Sequence, residues 1–151
     1  MVSRFERFSF AISEISRCWH KIASQEMEKY GLKAPHCVYL LNLYRHPDGI
    51  TAARLAQNCG KDKADVSRMI TILEEKGLVC KEGASYRALL KLTETGNDAA
   101  EHVQKRAATA VELGGDGITE ENRETFYAVL ELIAKNLRAV GENGLPEKKE
   151  N

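Results

Sequence analysis

The stretch Asp62 to Val79, DKADVSRMITILEEKGLV, constrains the chain most, because it encodes a whole helix together with both of its ends. Asp62 suits the N-cap, and Asp65 three residues on comes close to a capping box. Val66, Met69, Ile70 and Leu73 recur at helical spacing and form one apolar stripe. Gly77 stands where a helix needs a left-handed residue to stop, and Leu78 and Val79 open an extended run. The other face carries Lys61, Lys63, Ala64, Asp65, Ser67, Arg68 and Thr71. These side chains can meet phosphates or base edges, with one small residue allowing close approach. An ordinary amphipathic helix with a solvated polar face has the same pattern, so the flanking sequence has to decide between them.

Upstream, Ile50 to Gly60 reads as a short helix with Thr51 as N-cap and Gly60 in the turn. Two short helices joined by a tight glycine turn make a helix-turn-helix, whose second helix enters the major groove. Downstream, Cys80 to Leu92 gives two extended runs around Gly83-Ala84, a hairpin. Helix, turn, helix, hairpin is a winged helix. The order TAARLAQ, DKADVSRMITILEEKGLV, YRALLKLTETG resembles the MarR family of bacterial and archaeal transcriptional regulators. The motif-bearing part covers 34–96. The resemblance implies a mainly α fold with a small β-hairpin wing, a winged helix-turn-helix joined to a helical dimerisation domain. A single such domain would span 1–151, with 1–33 and 97–140 as its dimerisation part.

At 151 residues the chain is long enough to bury a core, and its 43% hydrophobic and 29% charged content is ordinary for a globular protein. No apolar run approaches the roughly 18 residues of a membrane span. Met1 to Arg7 lacks the hydrophobic core of a signal peptide, so a cytoplasmic location and no membrane partner are expected. Net charge is zero, which argues against a bulk nucleic-acid condenser but not against a sequence-specific binder, where local charge counts. From Lys61 to Lys91 seven Lys/Arg face five Asp/Glu; from Ile118 onward five face seven. The four cysteines, Cys18, Cys37, Cys59 and Cys80, form no C-x-x-C pair and are expected reduced and buried.

Along the chain, Phe5, Phe8, Ile12, Ile15, Trp19 and Ile22 mark a heptad seam on a long first helix ended by Gly31. Pro35 opens the next helix, in which Cys37, Val38, Leu40, Leu41 and Leu43 are expected to be core. Thr93 caps a helix running to about Leu113, with Gly96 tolerated near its start and a small-residue stripe at Ala99, Val103, Ala107, Ala110 and Val111. After Gly114-Gly115-Asp116-Gly117, Thr119 caps a last helix on which Phe126, Leu130, Ile133, Leu137 and Val140 repeat the heptad spacing. Residues 141–151 are expected to be a disordered tail. Matching seams at both ends of the chain point to a homodimer. A two-fold dimer reads a pseudo-palindrome with half-sites roughly 10 bp apart.

For base readout the candidates are Lys63, Asp65, Ser67 and Arg68. Arg68 can bond guanine bidentately and Asp65 can accept from cytosine N4; Arg68 can equally meet phosphate or pair with a neighbouring acid. Thr51, Lys61 and Thr71 are candidates for phosphate. In the wing, Arg87 matches the arginine that MarR-like proteins direct to the minor groove. The usual Asp-Arg-Arg run is replaced by Ser85-Tyr86-Arg87, the bracing aspartate is absent, and Lys81 can supply part of the charge.

The resemblance implies double-stranded DNA as partner and release by a small-molecule effector. Trp19, Tyr30, His36, Tyr39 and Tyr44 are candidates to line its pocket, or are plain core. The alternative trigger is redox: Cys18, beside Trp19 and His20, lies where some relatives sense peroxide, and Cys59 precedes the recognition helix. His20, His36, His46 and His102 are scattered. Zinc-responsive relatives place two histidines one turn apart after the wing, but here His102 is followed at that spacing by Arg106, so no metal and no cofactor are expected. Enzyme signatures are missing. A winged-helix protein–protein module without DNA affinity is the competing class.

Overall fold

The computed structural model describes residues 3–84 and 87–147. In chain order these form α1 (Arg4–Glu28), α2 (His36–Tyr44), β1 (Ile50–Thr51), α3 (Ala52–Cys59), α4 (Lys63–Glu75), β2 (Val79–Glu82), β3 (Leu89–Leu92), α5 (Glu94–Gly114) and α6 (Glu120–Asn143). The chain divides into two compact units, Met1–Thr109 and Ala110–Asn151, with the division falling inside α5.

In the first unit, the expected stripe of α4 is the one that packs. Val66, Ile70 and Leu73 are buried and Met69 is partly so. They meet Leu55 and Ala56 of α3, Tyr39, Leu40 and Leu43 of α2, Leu90 of β3, and Ala99, Ala100 and Val103 of α5 in one core. On α2 the buried positions are His36, Tyr39, Leu40 and Leu43. That spacing of three and four residues defines a single helical face. Val38 falls off it and is 43% exposed, so its expected place in the core is corrected.

The hairpin forms as expected, pairing Val79 with Leu92 and Glu82 with Leu89. The sequence did not announce β1. Ile50 and Thr51 pair with Leu90 and Leu89, giving a three-stranded antiparallel sheet in the order β1-β3-β2. A two-residue strand has no period to detect.

Two glycines act through backbone conformation. Gly60, at φ +62°, ends α3 and turns the chain into α4. Gly77, at φ +70°, ends the next turn, where the Gly77 amide donates to the Glu74 carbonyl and the Leu78 amide to the Leu73 carbonyl. Both positions need a left-handed residue. Gly96 acts by its size. It is buried at the start of α5, and a Cβ there would fall inside the contact radius of the Leu78 carbonyl oxygen and 2.9 Å from the carbonyl carbon. It is required where it was expected to be merely tolerated. Thr93 locks the same joint. Its amide donates to the Leu78 carbonyl at 3.0 Å, its hydroxyl donates to the Gly77 carbonyl at 2.6 Å, and it accepts from the Gly96 amide.

At the N-terminal end, Ser3 and Glu6 close a full capping box on α1. Only Glu26 and Met27 of α1 are buried. Phe5, Phe8, Ile12, Ile15 and Trp19 are all exposed, as is Phe10, which lies off the seam.

In the second unit, Thr119 caps α6 by accepting from the Asn122 amide. The Phe126 and Tyr127 rings lie 5.8 Å apart. No residue of α6 is buried, and Phe126, Val129, Leu132 and Leu137 are exposed; Leu130 and Ile133 are half-buried. The helix runs through Gly141 to Asn143, inside the stretch expected to be a tail, of which residues 148–151 lie outside the described residues.

Candidate nucleic-acid interface

The helix-turn-helix is held by caps at both of its helix starts. The Thr51 hydroxyl accepts from the Arg54 amide at 3.2 Å, and Asp62 Oδ1 accepts from the Asp65 amide at 2.8 Å. Each satisfies an otherwise orphaned donor of a first turn. With Val66, Ile70 and Leu73 turned into the core, α4 presents Lys63, Ser67, Arg68 and Thr71, all exposed, with Asp65 half-buried, and Lys61 is exposed in the turn before its Asp62 cap. At helical spacing Lys63, Ser67, Thr71 and Arg68 follow one another around the exposed side of α4, with Asp65 at its margin.

Besides Thr51, several of the candidates are already engaged within the chain. Arg68 Nη2 donates to Asp65 Oδ1 at 3.2 Å. The Thr71 hydroxyl donates to the Ser67 carbonyl at 3.0 Å, which uses the hydrogen that a phosphate contact would require. Lys81, on β2, pairs with Glu74 of α4 at 3.1 Å. The two ion pairs are solvent-exposed, and such pairs are worth roughly 0–1 kcal/mol, so they leave both cations able to meet DNA. Arg87 is exposed between the strands of the wing. Its neighbours Ser85 and Tyr86 lie outside the described residues, so the departure from the family's wing motif has no structural account. Sequence reasoning passed over Arg54, exposed in the first turn of α3 and bonded to Gln57 at 2.9 Å. Its signal was a lone cation three residues after the Thr51 cap.

Of the five effector candidates, His36 and Tyr39 share the buried face of α2, and Tyr30 and Tyr44 pack against the same core. Tyr39 is 1% exposed and belongs to the core. His36 is buried, its Nδ1 accepting from the Lys33 amide at 2.9 Å. Tyr30 packs edge-on against His102 at 6.2 Å, Tyr44 packs on the core, and Trp19 is exposed on α1. An open groove of about 600 Å³ is lined instead by His20, Lys21, Ser24, Gln25, Glu28 and Lys33, with Leu32, Ala34 and Pro35. None of the five lines it.

The cysteines are not uniformly buried: Cys18 and Cys80 are exposed. Burial pushes the Cys59 thiol up, against a smaller pull from Lys61. Its thiolate is therefore scarce and its candidacy as a redox sensor is weakened. His20 does not activate Cys18 through proximity in sequence either, because residues two apart on a helix do not face each other.

His102 and Arg106, one turn apart on α5, have a shared purpose. Both reach the buried Glu26 carboxylate of α1, at 3.1 Å each, and Lys29 closes on it at 2.6 Å. The Lys29 hydrogen bond leads in lowering Glu26 to about 2, opposed by burial, with Arg106 and His102 adding to it. Among the described residues no group of three or more His, Cys, Asp or Glu could hold a metal ion. No helix of the described residues is long and apolar enough to cross a membrane.

The profile described as MarR family matches residues 30–86, which span α2, the helix-turn-helix and much of the wing. The HTH-type transcriptional regulator YybA of Bacillus subtilis strain 168 is 28% identical over 129 residues, covering 83% of this chain and 85% of its own. A MarR transcriptional regulator from Methanosarcina mazei Go1 superposes with a TM-score of 0.76 at 25% identity, covering 89% of this chain and 92% of that one. A Listeria monocytogenes protein solved with 26-mer DNA shares the fold, at a TM-score of 0.76 and 22% identity over 91% of this chain and 95% of its own. Residues 30–86 thus match the MarR family profile, and the winged helix-turn-helix architecture of the chain is similar to that of these transcriptional regulators.

Proposed function

We propose that this chain is a homodimeric repressor that binds a pseudo-palindromic operator through the outer face of α4. The observation that carries the reading is that exposed side. Lys63, Ser67 and Arg68 stand exposed on a capped helix whose opposite face is locked into the core, with Lys61 exposed just before the cap. A rigid helix with cations and hydroxyls outward fits major-groove readout, with phosphate contacts from Lys61 and Thr51 setting the register. The like-folded Listeria protein in complex with DNA supports the same mode. Arg87 is the wing's candidate for the minor groove, with Lys81, in an exposed pair with Glu74, as a further cation.

The dimer reading rests on α6 and α1. A 24-residue helix with no buried residue and with Phe126, Val129, Leu132 and Leu137 exposed presents an apolar surface that calls for a cover. The exposed seam of α1 presents a second. A second copy of the chain supplies both covers under two-fold symmetry. A DNA-bound regulator of this kind works in the cytoplasm, with release by a small-molecule effector. Peroxide acting on Cys18 is the second trigger, favoured by the exposure of that thiol.

The test is a salt titration of binding to promoter DNA of the gene's own operon against scrambled duplex, with and without peroxide. Sequence-selective, salt-dependent binding by a dimer is the expected result. Absence of selectivity at every salt concentration removes the repressor reading and favours a protein–protein module.

A further inference from the structure

On the outer face of α4, Arg68 is 67% exposed along its side chain, and its Nη2 donates to Asp65 Oδ1 at 3.2 Å. From this pair we infer that Asp65 is a positioning residue, holding the Arg68 guanidinium in the orientation that reads guanine rather than contacting a base itself. The inference rests on the DNA-binding reading of α4 and deepens it by naming the base and the residue that selects it.

An arginine so exposed samples many rotamers, and freezing them on contact with DNA opposes binding. Asp65 is anchored where Arg68 is not. Its amide donates to Asp62 Oδ1 at 2.8 Å, its side chain is only 29% exposed, and the next residue, Val66, is buried in the core. A fixed support therefore runs from the Asp62 cap through the Asp65 backbone and carboxylate to the guanidinium. That group offers five N–H donors in a rigid fork. The carboxylate engages Nη2 from one side, which leaves donors on both terminal nitrogens to face outward. Two parallel donors match O6 and N7 of guanine, the acceptor pair that no other base shows in the major groove. Adenine presents a donor at N6, which a fixed fork rejects and a mobile one can avoid.

The carboxylate has a second consequence. It lies on a surface that approaches phosphates, so its charge repels every duplex alike. Removing it should strengthen binding to arbitrary DNA while weakening the preference for guanine. A residue that only maintained the fold would lower both together.

The probe is a pool of duplexes with a randomised core, selected on the wild-type protein. Fluorescence anisotropy is then measured on every single-base variant of the selected duplex, and on a scrambled duplex. It is done for wild type, Asp65→Ala, Asp65→Asn and Arg68→Ala, each first matched to wild type by thermal melting. Wild type should favour guanine at one position of each half-site by on the order of tenfold or more. Arg68→Ala should abolish that preference. Asp65→Ala should reduce it to a few-fold at the same position and bind scrambled DNA a few-fold more tightly, with Asp65→Asn between. An unchanged guanine preference in Asp65→Ala, or a loss at a different base pair, overturns the inference while leaving DNA binding intact. Failure of wild type to select any sequence overturns the DNA-binding reading, and this inference with it.

Discussion

Replacing Gly96 by alanine adds one methyl group, yet it should be among the most damaging small substitutions in the molecule. The new Cβ would lie 2.9 Å from the Leu78 carbonyl carbon, 3.2 Å from its Cα, and nearer still to its oxygen. Carbon atoms sit comfortably at about 3.5–4.0 Å, so backbone must move on one side or the other. Neither side is free to move. The Leu78 carbonyl accepts from the Thr93 amide, and Thr93 also bridges to Gly77 and to Gly96 itself. Overpacking costs about 1–3 kcal/mol, and weakening two of these hydrogen bonds adds roughly 1–3 kcal/mol. Alanine returns about 1 kcal/mol of helix propensity. The net loss is about 1–5 kcal/mol, or a melting temperature lower by roughly 2–20 °C for a chain of this size. Denaturant titration followed by far-UV circular dichroism measures it. Gly141→Ala on α6 is the control, since nothing lies within 4 Å of its added methyl. Propensity alone should stabilise that variant by up to about 1 kcal/mol. A Gly96→Ala protein within about 0.5 kcal/mol of wild type would refute the reasoning, because that is the scatter of inert surface changes.

Further predictions follow from other residues. Glu26 is held well below the ordinary carboxylate range, so its stabilisation is present above about pH 4.5 and is lost as pH falls toward 2. Glu26→Gln should therefore cost about 2–3 kcal/mol at neutral pH and much less near pH 2, as read by denaturation at a series of pH values. Tyr39 is buried with no partner for its hydroxyl among the described residues, so Tyr39→Phe should leave stability unchanged or raise it by about 1 kcal/mol; a clear loss in thermal melting would show a hidden partner. Phe126→Ser combined with Leu137→Ser removes apolar surface that α6 leaves exposed, and sedimentation should report dissociation to monomer. An unchanged dimer would place the interface elsewhere.

The elements that the sequence made legible are those with both a period and a punctuation mark. In α4 the spacing of Val66, Ile70 and Leu73, the Asp62 cap and Gly77 all agree, and the structure follows each of them. Elements lacking one of the two were harder to read. β1 is too short to have a period, and α2 is so apolar that composition could not say which side faces inward. Spacing could: His36, Tyr39, Leu40 and Leu43 share one face, and Val38 does not. Contacts between distant segments left little local trace. Gly96 meets Leu78 only after the wing has folded back, and Glu26 meets His102 and Arg106 across more than 70 residues. The outer face of α4 was legible because every residue left off a buried stripe must point outward. The pairing of Lys81 with Glu74 was not, because it joins a strand to a helix face. The effector residues were chosen for their aromaticity, which marks core as readily as pocket, and Tyr39 is core.

The central claim is that two copies of α4 read DNA as a symmetric pair. Hydroxyl-radical footprinting of wild-type protein on its selected duplex tests this most directly. The account predicts two protected segments related by a dyad, with centres roughly 10 bp apart, and loss of protection in Arg68→Ala. A single asymmetric footprint, or no protection at concentrations where the protein is dimeric, would contradict it.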